Sequence, residues 1–320
     1  MMDQAQVTNG DVRLHVIADG PADGPHPPIL CVHGWPELSH SWRHQIAHFA
    51  AGGRRIAAMD VRGYGESSKP EPVEAYTLAE ITADVAAVID SLGGRAILFG
   101  HDWGAPIVWH TALRHPEHVV AVAGLSVPYV PLGDTNFLDL MRQVYAGKFF
   151  YQLYFQDEGI AEAEFESDPD ALLKIYHGAS GEGVADALSA PKGPDDKFLT
   201  GMPRPDRLPP WLPAEDLARY NQAFARGGWR GPLNRYRAQD LDWRDRAPVA
   251  GKRIAQPACF IAGSLDPVRR FVPGHDLYAA AGAYCDDFRG TTLVDGAGHW
   301  VQQEAPTEVN AALEAFLRGP

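Results

Sequence analysis

Ala96-Ile97-Leu98-Phe99-Gly100-His101-Asp102-Trp103-Gly104 is the stretch whose reading decides the fold. Four apolar residues predict a buried strand, and Ile107 to Leu113 beyond it predict a helix. Gly100 and Gly104 stand two residues before and two after Asp102. That spacing describes a tight strand-to-helix turn that presents its central side chain, where bulk at the flanking positions would clash. The central residue of such an elbow is usually Ser; here it is Asp. A carboxylate attacks at neutral pH without first losing a proton. It substitutes at an electrophilic carbon and leaves an alkyl ester on the protein. Gly-x-Asp-x-Gly by itself is also compatible with an ordinary turn, so its partners decide.

The rest of the chain supplies the frame for that elbow. Val12, Leu14 and Val16 alternate with polar residues, as in a half-buried strand. Ile29-Leu30-Cys31-Val32 and Ile56-Ala57-Ala58-Met59 are continuous apolar runs of the kind found inside parallel sheets. Trp42, Ile46 and Phe49 fall at helical spacing. Thr77 with Glu80 predicts a capping box for a helix carrying Ile81, Val85, Val88, Ile89 and Leu92 on one stripe. Val119 to Leu125 reads as the next strand. Such alternation predicts βαβ units and a parallel sheet covered on both faces. From 128 to 248 the pattern breaks into aromatic, helical, Pro- and Gly-rich sequence with a Pro-dense connector from Pro191 to Pro213. Strand–helix alternation resumes at Ala258-Cys259-Phe260-Ile261 and Thr291-Thr292-Leu293-Val294. It ends in a helix bearing Val309, Leu313, Phe316 and Leu317. The reading is an α/β core, 1–127 and 249–320, interrupted by a helical insertion, 128–248.

In 320 residues, 45% apolar and 22% charged content fits a soluble globular protein, and a net charge of −13 argues against nucleic-acid and anionic-membrane partners. No apolar run approaches the ~20 residues that span a bilayer, and Met1 to Asp11 lacks the apolar core of a signal peptide. Cys31, Cys259 and Cys285 are widely spaced, two of them in strand-like runs, which points to buried free thiols and a reducing, cytoplasmic setting. No Cys/His set has zinc-finger spacing and no His pair forms HExxH, so no metal site and no cofactor are expected.

Ligands of α/β sheets sit beyond the carboxyl ends of the strands, and the partners of an elbow nucleophile follow it in the order acid, then His. Asp266 follows the strand ending at Gly263, and His299 follows the strand ending at Val294. Asp266 before Pro267 is equally suited to N-capping a helix, and the two roles are compatible. Gly296 and Gly298 put His299 on a loop; Asp295 is a rival acid in the same loop, ranked below Asp266. Hydrolysis of an ester on Asp102 needs an oxyanion hole. Its expected donors are the N–H groups of Trp103 and Trp35, the latter in His33-Gly34-Trp35-Pro36 directly after a buried strand.

His33-Gly34-Trp35-Pro36, Asp60-Val61-Arg62-Gly63-Tyr64-Gly65-Glu66-Ser67, the Asp102 elbow and Gly298-His299-Trp300 together resemble the epoxide hydrolases of the α/β-hydrolase fold, most closely the soluble type. The similarity runs from Val12 to Leu317. It implies a mostly parallel eight-stranded sheet with helices on both faces and an inserted helical cap, without the phosphatase-like domain of the mammalian enzymes. It also implies that His33, Gly34 and Pro36 help bind substrate. Phe150-Tyr151-Gln152-Leu153-Tyr154-Phe155-Gln156 and Gly228-Trp229-Arg230-Gly231-Pro232-Leu233-Asn234-Arg235-Tyr236 resemble the two segments whose tyrosines hydrogen-bond the epoxide oxygen, matching at Tyr151 and Tyr236. Tyr154 is close enough in sequence to compete with Tyr151. A neutral donor with a pKa near 10 suits an alkoxide leaving group in an apolar pocket. The reaction so implied converts a lipophilic epoxide to a vicinal diol, with water as co-substrate, in a monomer or homodimer. The alternatives are a haloalkane or haloacid dehalogenase, or a non-catalytic small-ligand binder of the same fold. Trp103 and Pro106 stand where fluoroacetate dehalogenases usually carry carboxylate-binding arginines.

Overall fold

The computed structural model describes residues 2–189 and 192–319. Pro191, the first residue of the Pro-dense connector, lies outside the described residues. Among them eight strands form one sheet: β1 (Asp3–Asn9), β2 (Val12–Asp19), β3 (Ile29–Val32), β4 (Ile56–Met59), β5 (Ala96–His101), β6 (Val119–Leu125), β7 (Ile254–Gly263) and β8 (Cys285–Val294). Their order is β1-β2-β4-β3-β5-β6-β7-β8. β1 and β2 pair antiparallel, β2 runs antiparallel to β4, and all later neighbours are parallel.

The continuous apolar runs are buried because they have two cores to serve. Leu30, Val32, Ala57, Met59 and Leu98 point to one face, where α2 (Leu78–Ser91) and α3 (Gly104–Arg114) lie. Ile29, Cys31, Ile56, Ala58, Ile97 and Phe99 point to the other, covered by α1 (Arg43–Ala51) and α13 (Pro306–Arg318). The period of two therefore carries apolar residues on both phases, as a doubly covered sheet requires. Thr77 N-caps α2, its Oγ1 accepting from the Glu80 N–H at 3.4 Å. The three cysteines are buried and unpaired.

Between β6 and β7 the chain makes the expected helical excursion. It contains α4 (Phe137–Val144), α5 (Tyr151–Tyr154), α6 (Ile160–Ser167), α7 (Ala171–Ala179), α8 (Val184–Ser189), α9 (Ala214–Gly227), α10 (Arg230–Arg237) and α11 (Gln239–Arg244). α12 (Val301–Glu304) follows β8. Phe155, Phe165, Tyr176, Phe198, Tyr220, Phe224, Trp229 and Tyr236 of the excursion belong to the same apolar cluster as the α2/α3 face of the sheet. β1 is the one strand that the sequence pattern misses. Its side chains are largely exposed, so no apolar alternation marks it; backbone pairing with β2 defines it.

Candidate active site

The elbow has the strained geometry that its sequence predicts. Asp102 sits at φ 49°, a left-handed conformation that a non-glycine residue adopts at a cost. A Cβ on Gly100 would overlap the carbonyl of Gly104, and one on Gly104 would overlap the carbonyl of Val32. The two small residues thus let the end of β5, the start of α3 and the end of β3 close on one point. Asp102 stands above it.

His299 bridges the two carboxylates. Its Nε2 lies 3.3 Å from Asp102 Oδ2 and its Nδ1 3.1 Å from both oxygens of Asp266. Asp266 makes the contacts of both readings. While facing His299 it accepts from the Val268 N–H at 2.9 Å and so caps the 3₁₀ turn Pro267–Arg270. Asp295 instead meets Ser264 Oγ at 3.4 Å in an exposed position. The opposing carboxylates set the charge of the imidazole. Burial alone would lower its pKa, but the charges and hydrogen bonds of Asp266 and Asp102 outweigh burial and hold it well above the usual histidine value. Burial likewise opposes ionisation of Asp102. His299, the neighbouring His101 and the Trp35 N–H more than compensate and lower the pKa of Asp102. Both shifts favour the carboxylate–imidazolium form of the pair.

The loop after β3 wraps Asp102. The Trp35 N–H donates to Asp102 Oδ1 at 2.7 Å. Gly34 faces the Asp102 side chain so closely that a Cβ there would overlap it. Buried His33 has both ring nitrogens engaged by main chain. Its Nε2 accepts from the Val61 N–H at 3.0 Å, which leaves Nδ1 to donate to Gly34 O at 2.8 Å. Neither nitrogen is free for a substrate, so the ring shapes the loop. The Pro36 carbonyl accepts from Tyr176 Oη at 2.8 Å. Trp103 N-caps α3 directly after the nucleophile.

From the insertion, Tyr151 and Tyr236 converge over this loop. Their rings lie 5.9 Å apart. Tyr236 also packs on Trp103 at 5.2 Å and on Trp35 at 5.9 Å. Gln152 Nε2 donates to Tyr151 Oη at 3.0 Å, an orientation fixed by the bond from Gln239 Nε2 to Gln152 Oε1 at 3.1 Å. The hydroxyl proton of Tyr151 is thereby left to donate elsewhere. Burial, and then the charge of Asp102, push the Tyr151 phenol well above its ordinary pKa; burial leads the same shift at Tyr236, so both stay protonated. Tyr154 points away, its Oη donating to Glu164 at 2.8 Å. Phe155 packs on Trp35, Tyr151 and Tyr236, while Phe149 and Trp211 pack on Tyr154 and Tyr176.

A family model described as alpha/beta hydrolase fold matches residues 27–306. Over 318 residues the chain is 44% identical to Epoxide hydrolase A of Mycobacterium tuberculosis, spanning 98% of this chain and 96% of that protein. The chain belongs to the epoxide hydrolases of the α/β-hydrolase fold. The crystal structure of Epoxide Hydrolase A from Mycobacterium thermoresistibile superposes with a TM-score of 0.92 at 41% identity, covering 100% of this chain and 99% of that one. An epoxide hydrolase from an endophytic Streptomyces gives 0.93 at 39% identity, with 99% and 96% coverage.

Two buried groups around the site of this epoxide hydrolase carry no local sequence signal. His101 Nδ1 lies 2.7 Å from Glu37 Oε2, and its Nε2 lies 2.7 Å from the His299 carbonyl. Both ring nitrogens of His101 are thereby engaged, one by the buried Glu37 carboxyl group and one by main chain. Glu37 Oε1 also accepts from the Nε2 groups of Gln302 and Gln303 at 3.0 and 2.8 Å. Ser126, a second non-glycine at positive φ (65°), donates from Oγ to the same His299 carbonyl at 2.8 Å. Only the fold brings these residues to His299, and no spacing along the chain announces them. Arg235, next to Tyr236, lies over the Trp103 ring at 4.7 Å and pairs with buried Asp242.

Proposed function

We propose that this epoxide hydrolase opens a lipophilic epoxide to a vicinal diol through an ester on Asp102. The observation that carries the reading is His299 held between Asp102 and Asp266, with the Trp35 N–H on Asp102 Oδ1. With Oδ1 so held, Oδ2 is the attacking atom. It bonds to a ring carbon, the C–O bond of the epoxide breaks, and Tyr151 and Tyr236 donate to the departing oxygen. Ester formation removes the negative charge of Asp102 and with it one of the two anions that keep His299 protonated. The imidazolium then releases its proton, which through solvent makes good the one that the phenols pass to the ring oxygen, and only after the ester exists is the imidazole a base. His299 then takes a proton from water, which attacks Cγ of Asp102. The N–H groups of Trp35 and Trp103 hold the oxyanion, the acyl C–O bond breaks, and the diol leaves with a proton from His299.

Residues 128–248 act as a cap over a core of 1–127 and 249–320, and contribute the two phenols. The aromatic wall of Phe155, Trp35 and Trp103 supports an apolar substrate. The loop His33, Gly34 and Pro36 contributes by shaping that wall around Asp102. Every group named comes from one chain, so the reading holds for a monomer or a homodimer. Three buried free thiols support a reducing cytoplasm. No helix among the described residues is long and apolar enough to cross a membrane.

The test is product release from aryl and alkyl epoxides, haloalkanes and fluoroacetate by wild type and Asp102→Ala. Diol from epoxides, lost in the variant, is expected. Halide release without diol would reassign the protein to the dehalogenases and leave Tyr151 and Tyr236 as packing residues.

A further inference from the structure

The proposed base is held by more than Asp266. Glu304, at the end of α12, aims its carboxylate at three backbone N–H groups. Oε1 accepts from Trp300 at 3.0 Å; Oε2 accepts from Gly298 at 2.9 Å and from Gly181 at 2.8 Å. Gly298 and Trp300 are the two neighbours of His299. Gly181 belongs to the cap, in the turn after α7. The side chain therefore grips the base loop on both sides of His299 and ties it to the cap.

The same seam carries further bonds. The His299 N–H donates to Ala179 O at 2.8 Å, and Trp300 Nε1 donates to Tyr176 O at 2.8 Å. The backbones are in direct contact. A Cβ on Gly298 would overlap the 180–181 peptide, and one on Gly181 would overlap Gly296 O. The two faces of His299 thus have different owners. Its N–H is held by the cap, and its carbonyl by His101 and Ser126 of the core.

We propose that Glu304 is a positioning residue that couples the cap to the base, and that it serves the hydrolytic half-reaction. The inference rests on the reading of His299 as base. Glu304 touches neither Asp102 nor the imidazole among its hydrogen bonds; it acts through the loop. Alkylation draws on Asp102, whose backbone the elbow fixes and whose Oδ1 Trp35 holds; the loop adds only the His299 contact to Oδ2 at 3.3 Å. Hydrolysis demands that the imidazole sit within reach of a water that is itself aligned on Cγ, a tighter requirement on placement. A carboxylate suits three donors because it offers only acceptors; burial raises the pKa of Glu304 and the three N–H groups work against that rise. Glutamine at this position sets an NH₂ group against backbone N–H and breaks part of the clamp at nearly constant volume.

The experiment follows alkylation and hydrolysis separately by rapid quench and intact mass, with one aryl epoxide, in wild type, Glu304→Gln, Gly181→Ala and His299→Ala. Glu304→Gln is expected to leave the alkylation rate within about twofold and to slow hydrolysis roughly 10- to 100-fold, the scale of a small misplacement. Ester accumulates, so kcat and KM fall together while kcat/KM holds. Gly181→Ala perturbs the seam from the cap side and shows the same split, which keeps the test open if Glu304→Gln folds poorly. Equal losses of kcat and kcat/KM at constant KM in the folded variants would mean a merely structural role and overturn the proposal, as would a wild-type ratio of the two rates. His299→Ala separates the failures. If it accumulates ester while the other two do not, the coupling fails and the base stands. If it accumulates none, the assignment of the base fails first.

Discussion

At the scale of single residues the site is a problem of charge. Three ionisable groups, Asp102, His299 and Asp266, lie in line within hydrogen-bonding reach and out of water. Two anions around one imidazole raise its affinity for a proton against the effect of burial. A resting imidazolium is the wrong state for a base, and the proposed alkylation of Asp102 would correct it. Asp102→Asn imitates the neutral ester while keeping an oxygen for the Trp35 N–H. With one anion gone and burial unchanged, the balance tips toward the neutral ring. The His299 pKa, followed by NMR titration, is expected to be lower in Asp102→Asn than in wild type. The hydrolytic rate is expected to rise with pH through that lowered value. An unchanged or higher pKa would show that Asp266 alone governs the imidazole. Asp102, Asp266 and His299 were legible because each stands just beyond a readable strand, in the order the architecture imposes. Glu37, His101, Ser126 and Glu304 were not legible. Glu37, His101 and Ser126 meet partners far away along the chain, as Glu304 does at Gly181, and a buried Glu bound to backbone looks in sequence like any surface Glu.

Elements explain why that geometry is stable. β3 and β5 run side by side in parallel and deliver the His33–Pro36 loop and the elbow to the same edge of the sheet. α3 begins within two residues of the nucleophile and packs back over the sheet. The space between these elements is closed: Gly104 lies against the carbonyls of Val32 and His33. Gly104→Ala is expected to destabilise the fold by about 1–3 kcal/mol, the usual range for overpacking a tight contact, read from a shift in the urea midpoint. A midpoint equal to wild type would mean that the elbow tolerates a wider turn than its backbone suggests. The strands buried on both faces were readable to the residue for β3, β4 and β6, since nothing but a central strand needs apolar side chains on both phases. β7 and β8 extend further toward their N-termini than the apolar runs Ala258 to Ile261 and Thr291 to Val294 indicate. Most of β8 is exposed, so backbone pairing, and no apolar pattern, carries it there.

At the scale of the whole molecule, core and insertion meet through polar contacts as well as aromatic ones. Arg43 in α1 reaches Asp216 in α9 at 2.8 Å, and His40 reaches the same carboxylate at 2.6 Å. Arg235 joins Asp242 to the Tyr76 carbonyl, while Asp242 accepts from the Leu78 N–H at 2.6 Å, at the start of α2. With the Glu304 seam, these contacts bind the insertion to the core near the start of α2, at α1 and at the base loop. The proposed nucleophile and base lie outside the insertion, and the two proposed proton donors, Tyr151 and Tyr236, lie in it. The proposed division of labour follows those origins, with capture and ring opening between the two parts and ester hydrolysis within the core. The measurement that tests it most directly uses His299→Ala incubated with an aryl epoxide and analysed by intact mass and peptide mapping. Accumulation of one adduct, heavier by the mass of the epoxide and located on Asp102, with diol release blocked, is the predicted result. Continued diol release with no adduct on Asp102 would contradict the covalent mechanism.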